Sequence, residues 1–309
     1  MDIGAIKSRV SEIPFPQGTS EALPQLPLRC LTAGNSGSGK TNMISTLITD
    51  PRFFRGKWTK VFWLSPTALI DDALQPVRDF VDDHLEQDQQ KEPTFHDHFN
   101  VPFLTKVIGR ARRVMEWMKE QKPRPKKAFN TLIVLDDLGD TNDPAALKLI
   151  NLLFLKARHW GISTILSVQR LKLPLMTVAA RTNATCVICY KLRNQNDLME
   201  GLLYEYSALA PKEKIMAAYR AAVDRPFGFL VIKTNAQDPN RMFMNGFKSY
   251  FRMIDKDDQV TARSDKAANS SSQAARRASL EEAYSDDEEG PPGGKNVRRG
   301  AQGSNAPGR

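Results

Sequence analysis

Residues 34–41 read Gly34-Asn35-Ser36-Gly37-Ser38-Gly39-Lys40-Thr41, the spacing GxxxxGK[ST]. A triphosphate needs many N–H donors converging on its oxygens, and a backbone that curls so tightly needs positions without a Cβ. Gly34, Gly37 and Gly39 supply that freedom. Lys40 brings a point charge to the β- and γ-phosphates, and the Thr41 hydroxyl is placed to ligate Mg²⁺. A second chemical signal is the pair Asp136-Asp137, which ends the apolar run Leu132-Ile133-Val134-Leu135. The first carboxylate can hold Mg²⁺ through its water shell, and the second can orient or deprotonate an attacking water. A third is Gln169, an amide at the end of Ser163-Thr164-Ile165-Leu166-Ser167-Val168, able to sense a γ-phosphate and the water beside it. Together these residues predict ATP, with Mg²⁺, as the ligand.

The elements that position these groups follow from periodicity. Leu28–Ala33 is a short strand before the glycine loop, and Asn42–Ile48 has helical spacing, apolar at 43, 44, 47 and 48. Strand, loop and helix N-terminus form the context that phosphate binding requires. Further strands are predicted at Lys60–Pro66, Thr131–Asp137, Ser163–Gln169, Thr185–Tyr190 and Gly228–Lys233. Helices are predicted over Pro102–Lys119, from Pro144 to about Trp160, and near 195–222, with a helix and an exposed insertion in 67–100. Alternation of apolar strands with helices implies an α/β fold whose mostly parallel sheet is covered on both faces. We therefore divide the chain into an irregular N-terminal arm (1–25), an ATPase domain (26–255) and a charged tail (256–309) rich in Ser, Ala, Gly and Pro, expected to be disordered.

The chain has 309 residues and a net charge of +9. The tail carries nine basic and nine acidic residues, so the whole excess falls on residues 1–255. A basic ATPase domain suggests a polyanionic partner. The stretches Arg110-Ala111-Arg112-Arg113 and Lys119–Lys127 are the candidates for contact with a DNA backbone, which would carry no base information. Cys30, Cys186 and Cys189 are read as core residues: three apart on a strand, Cys186 and Cys189 face opposite ways and cannot share a metal or a disulfide. His96-Asp97-His98 is read as a solvated loop. No apolar run approaches the roughly 20 residues that span a bilayer, and residues 1–7 lack a signal-peptide core, which predicts an intracellular protein.

The run Ala157–Arg170, an Arg-bearing helix end, a Gly161-Ile162 turn and a strand ending in Gln169-Arg170, resembles the FtsK/HerA group of DNA translocases. Within that group the early phosphate loop and Asp136-Asp137 look most like the poxvirus-type genome-packaging ATPases of large double-stranded DNA viruses. The resemblance covers roughly residues 26–235. It implies a RecA/FtsK-like fold of the division with an additional strand and a catalytic carboxylate, the strand near 61–65 being the one inserted before the carboxylate strand. Most members of that division carry Glu as the second acid. Asp137 stands there in this chain, with Asp140 as a fallback base.

The same resemblance implies that Arg158 is an arginine finger inserted into a neighbouring subunit's site, with Arg181 as the competing candidate. It further implies a homo-oligomeric ring that drives duplex DNA into a capsid. Its partners would be double-stranded DNA and a capsid or virion membrane component, and its place the host cytoplasm, the virus factory or the virion. The alternatives are a helicase or partition ATPase of a mobile element, and a nucleotide-gated DNA-binding scaffold with little turnover.

Overall fold

A computed structural model describes residues 14–123, 125–138, 143–171 and 174–254. The tail predicted for 256–309 lies outside the described residues. Residues 14–25 form no helix or strand, yet they lie against the domain and bury Leu23.

Nine strands form one sheet, β1 (Arg29–Ala33), β2 (Lys60–Leu64), β3 (Phe95–His96), β4 (Thr131–Asp136), β5 (Ile162–Val168), β6 (Cys186–Tyr190), β7 (Phe229–Ile232), β8 (Phe243–Asn245) and β9 (Ser249–Tyr250). Their order is β3-β2-β4-β5-β1-β6-β7-β8-β9. The first six in that order pair in parallel, and β7, β8 and β9 extend the sheet antiparallel. The α/β, mostly parallel architecture is as expected. The strand lying between β1 and β4 is β5, and β2 lies on the far side of β4. The inserted strand is thus the one that carries Gln169 at its tip. Residues 60–64 do fall between the phosphate loop and the carboxylate strand along the chain, as expected; across the sheet β5 takes that place, because each crossover helix can set the next strand on either side.

Among the described residues the α-helices are α1 (Lys40–Thr49), α2 (Gln75–His84), α3 (Val101–Glu120), α4 (Pro144–Leu155), α5 (Val178–Asn183) and α6 (Lys212–Val223). Alternation along the strands divides the core in two. Ile133 and Leu135 pack with Leu104, Leu153 and Ala218 from α3, α4 and α6, whereas Leu132 and Val134 pack with Ile44, Ile48 and Phe80 from α1 and α2. Side chains of successive strand residues point to opposite faces, so a run apolar at every position must be covered on both. Cys189 belongs to the first cluster and Cys186 to the second, and all three cysteines are free and buried. His96 departs from the expected solvated loop: it belongs to β3 and lies half-buried with its ring 4.0 Å from that of Phe103.

Two further details matter for the site. The predicted helix after Pro144 ends at Leu155, and Ala157–Trp160 is a separate 3₁₀ turn closed by Gly161 at φ 71°. The helical stretch after 195 divides into a π-helix over Asp197–Tyr204 and α6.

Candidate active site

In a parallel sheet the crevice beyond the carboxyl ends of the strands is where ligands bind. β1, β4, β5 and β6 all direct their C-terminal ends there. Leaving β1, the chain turns through 34–39 with Gly37 and Gly39 at φ 74° and 93°. These left-handed values are strained for a residue with a Cβ. The turn ends at Lys40, the first residue of α1, so the N–H groups of the first helical turn face the same crevice. Two contacts fix the loop to the end of β6: Asn35 Nδ2 donates to Lys191 O at 2.9 Å, and Tyr190 Oη donates to Gly39 O at 3.3 Å.

Lys40 is buried, and its ammonium donates to Gly34 O at 2.6 Å and Asn35 O at 3.1 Å. Burial pulls its pKa down, and the charges of Asp136 and Asp137 pull it back up. The helix and loop thus hold a cation inside a ring of backbone groups, with two carboxylates beyond it.

Asp136 is the last residue of β4 and is buried. Its Oδ2 accepts from Thr41 Oγ1 at 3.1 Å, joining the carboxylate strand to the phosphate loop across 95 residues of sequence. Burial raises its pKa against smaller opposing pulls from Ser167, Thr41 and Lys40. The Ser167 hydroxyl, in register on the adjacent strand, lies close enough to pull the Asp136 carboxyl's pKa down, yet neither Asp136 Oδ1 nor Ser167 Oγ has a partner in good hydrogen-bond geometry. A buried carboxylate oxygen left unsatisfied is costly unless a cation completes it. One such carboxylate beside one hydroxyl is a hard-oxygen donor set suited to Mg²⁺, which commonly takes one or two protein ligands and the rest from phosphate and water. Thr41 and Asp136 are the residues that would hold it. Among the described residues no group of three His, Cys, Asp or Glu could hold a metal by itself.

Asp137 leaves the strand at φ 48°, a left-handed conformation that Asp tolerates better than most residues. Its N–H donates to Ser167 O at 3.1 Å, which continues the β4–β5 pairing one step further. The side chain therefore emerges exposed, beside the tip of β5. Gln169 meets it there: Nε2 donates to Asp137 Oδ1 at 2.9 Å and to Oδ2 at 3.1 Å. The expected sensor amide is thus found holding the expected base. Asp140 lies outside the described residues.

Arg158 is not part of this cluster. It is exposed on the 3₁₀ turn before β5, whereas Gln169 follows the strand's last residue. Seven extended residues separate the two ends, on the order of 20 Å. Another guanidinium, Arg29 at the start of β1, feels the charge of Arg158: its pKa falls through burial first and the Arg158 charge second. Arg29 Nη1 donates to Phe154 O at 3.4 Å and its buried Nε has no partner. Among the described residues no carboxylate pairs with Arg158. Arg181, the competing candidate, is engaged within the chain, with Nε 3.7 Å from Glu205 Oε2 and Nη1 donating to Met176 O.

The basic stretches fare differently from one another. Arg110 pairs with the buried Glu92, which also takes Lys60, and Arg112 pairs with Glu116 at 2.8 Å. Two of the three arginines proposed for DNA contact are thus engaged with carboxylates of their own chain. Lys122, Lys126 and Lys127 are exposed in the connector that leads into β4, and Arg124 lies outside the described residues.

Several site-lining residues were not foreseen. A groove of about 730 Å³ is lined by Asn35–Ser38, Tyr190–Arg193 and Val223–Gly228, Arg225 and Phe227 among them. The signal in the sequence was Asp224-Arg225-Pro226-Phe227-Gly228: a turn composition with an aromatic residue where a polar one is usual.

A sequence profile described as "Poxvirus A32 protein" matches residues 17–232. The uncharacterized protein 075L of Invertebrate iridescent virus 6 is 25% identical over 211 residues, covering 68% of this chain and 72% of that protein. Among solved structures, the genome packaging NTPase B204 of Sulfolobus turreted icosahedral virus 2, in complex with AMP, superposes with a TM-score of 0.44 at 14% identity, over 74% of this chain and 98% of that one. The conjugation coupling protein TcpA of pCW3, with ATPγS, gives 0.47 at 14% identity, over 75% and 63%. The profile match takes in the phosphate loop, both carboxylates, Arg158, Gln169 and most of the sheet; the chain belongs to the poxvirus A32 protein family, as its resemblance to the poxvirus-type packaging ATPases implied.

Proposed function

We propose that this protein is an ATP-driven translocase of double-stranded DNA that packages a viral genome, acting as a homo-oligomeric ring. The observation that carries the reading is the convergence at one sheet edge of Lys40, the Thr41–Asp136 pair and the Gln169–Asp137 pair, within a chain of the A32 family.

The reaction is phosphoryl transfer from ATP to water. Loop N–H groups and Lys40 bind the β- and γ-phosphates, and residues 34–41 form the cradle. Bound Mg²⁺, held by Thr41 and Asp136, would neutralise charge on the phosphate oxygens. Asp137 accepts the proton of the attacking water. Gln169 orients Asp137, and its amide can turn from the carboxylate to a γ-phosphate oxygen, so that the base is freed when triphosphate is present. Arg158 acts on the nucleotide of a neighbouring subunit. Its distance from its own phosphate loop and the lack of a carboxylate partner among the described residues support that reading over Arg181.

DNA is held through its phosphates by the exposed lysines of the 119–127 connector. No described helix is long and apolar enough to cross a membrane, and the capsid or virion membrane component that receives the motor would be a separate protein. Its place of action would be the host cytoplasm or virus factory, or the virion.

The test is steady-state ATP hydrolysis of the full chain with and without duplex DNA, with Lys40→Ala as the inactive reference. DNA-stimulated hydrolysis that Lys40→Ala abolishes is the expected result. ATP binding with no turnover in either condition would leave a nucleotide-gated scaffold instead.

A further inference from the structure

Of the exposed large apolar residues, Phe227 alone also has left-handed backbone geometry among the described residues: it is 69% exposed at φ 60°. Either feature alone is common at a surface turn. Together they are costly, because an exposed aromatic gains nothing from burial and a side chain at positive φ is strained. A glycine at 227 would adopt the same backbone without strain. The following residue is a glycine for a local reason: a Cβ at Gly228 would lie 2.3 Å from Ala222 O. The turn that brings Phe227 out is therefore tightly held, with Gly228 N–H donating to Arg225 O at 2.9 Å.

The direction in which the ring is held is informative. A Cβ built on Gly39 would lie 3.1 Å from Phe227 Cδ1, so the ring rests against the phosphate loop one residue before Lys40. From there it forms one wall of the groove that opens from Ser36, Gly37 and Ser38. A triphosphate seated in 34–41 must leave the loop through such an opening, carrying its ribose and base with it. Strain retained beside a ligand groove is the pattern of a residue kept for what it contacts there.

We propose that Phe227 is the stacking platform for the nucleobase of the bound nucleotide. The inference rests on reading 34–41 as a triphosphate site, and it adds the recognition of a flat aromatic ring. Every base has a π-face, so the platform secures a nucleoside triphosphate against bare polyphosphate and leaves choice among bases to other groups.

Calorimetric titration of the full chain with Mg·ATP and with inorganic tripolyphosphate separates the alternatives. In Phe227→Gly, ATP affinity should fall about tenfold to a hundredfold, the range for loss of one base–aromatic stack, while tripolyphosphate affinity stays as in the wild type. The melting temperature of that variant without ligand should not fall, because the substitution relieves strain. Phe227→Leu, which keeps an apolar contact with Gly39 but has no π-face, should show the same selective loss, and Phe227→Trp should retain ATP affinity. An equal loss for both ligands would overturn the proposal and make Phe227 a prop for the loop, and so would unchanged ATP affinity in Phe227→Gly. A wild-type chain that binds neither ligand would overturn the triphosphate reading itself, and the platform with it.

Discussion

The two ends of the parallel strands are built in opposite ways. At the carboxyl end the charged groups answer one another: Lys40 lies near Asp136 and Asp137, Thr41 donates to Asp136, and Gln169 donates to Asp137. At the amino end Arg158 and Arg29 feel each other's charge and neither has a carboxylate partner among the described residues, and the exposed Lys126 and Lys127 precede β4. The first end brings together the residues proposed for hydrolysis, while at the second only part of the positive charge is paired among the described residues, Lys60 and Arg110 with Glu92. The two ends lie on the order of 20 Å apart, so neither can serve the other within one subunit. Under the proposed function the contrast would suit a protein that assembles to work, with one end receiving a nucleotide and the other offering cations to a neighbour's nucleotide or to DNA.

The strongest way to break that picture is to remove Arg158. A guanidinium supplied in trans reaches roughly 10³–10⁵ in rate in other nucleotide hydrolases. Arg158→Ala should therefore keep ATP affinity and lose turnover toward that extent. Mixing it with Asp137→Asn subunits should restore part of the activity, because some interfaces then join an intact finger to an intact site. Turnover of Arg158→Ala at the wild-type rate would show that the amino end has no part in hydrolysis. No rescue in confirmed mixed rings would mean that Arg158 acts by some other route.

Asp137→Asn alone tests the carboxyl end. An amide cannot accept the proton of water, so turnover should fall by about 10²–10⁴ while ATP still binds. Gln169→Ala sharpens the reading, since it leaves the carboxylate but removes the group that orients it. It should lower turnover less than Asp137→Asn and leave ATP affinity intact. If Gln169→Ala is the more damaging of the two, the amide acts on the nucleotide more than on the base.

Legibility in the sequence followed the range of the interaction. The glycine loop, β4 and β5 were readable because each is a contiguous run, and the positions of Asp136, Asp137 and Gln169 follow from those runs. That Gln169 bonds Asp137 was not readable, because it depends on β5 lying next to β4. Strand order across the sheet is not legible for the same reason: β2 precedes β4 along the chain, yet β5 is the strand between β1 and β4. Arg110 looked like a free basic residue because its partner, Glu92, lies 18 residues earlier and is buried where Lys60 of β2 and Arg110 of α3 both reach it. Strands β8 and β9 were missed because three- and two-residue strands carry too little periodicity to stand out. The Phe227 groove brings together 35–38, 190–193 and 223–228, segments that only the fold joins.

The basic connector offers a subtler test of the amino end. If Lys122, Arg124, Lys126 and Lys127 each neutralise a DNA phosphate, log affinity should fall linearly with log salt, by about 0.9 per contact. Replacing all four with Gln should flatten the slope by roughly 3–4 and change affinity alike for unrelated sequences. Fluorescence anisotropy on two duplexes of different sequence over a salt series reads both quantities. An unchanged slope would make this connector a solvated loop and pass the role to Arg113, the arginine of its cluster for which no ion pair is seen among the described residues.

The smallest effect bears on the strain within the carboxyl end. Asp136 is buried with its pKa raised chiefly by burial, and although the nearby Ser167 hydroxyl pulls it down, neither Asp136 Oδ1 nor Ser167 Oγ has a partner in good hydrogen-bond geometry. Asp136→Asn removes the charge and supplies an N–H₂ that can donate to Ser167 Oγ, while its carbonyl still accepts from Thr41. The ligand-free protein should gain about 1 kcal/mol at neutral pH, a rise of roughly 2–4 °C in melting temperature. The sign against pH follows from the direction of the shift. A carboxyl whose folded pKa lies above its unfolded value, about 3.9, binds its proton more tightly when folded. Its contribution to stability therefore falls as pH rises from there toward the folded value, and levels off beyond it. The advantage of Asp136→Asn should thus be smallest below pH 4 and grow through that window. Mg·ATP should raise the melting temperature of the wild type more than that of the variant, because the wild-type carboxylate has a cation to hold. A melting temperature that drops in Asp136→Asn at neutral pH would show that the buried charge is already balanced by its neighbours, and that the carboxyl end stores no strain for the nucleotide to relieve.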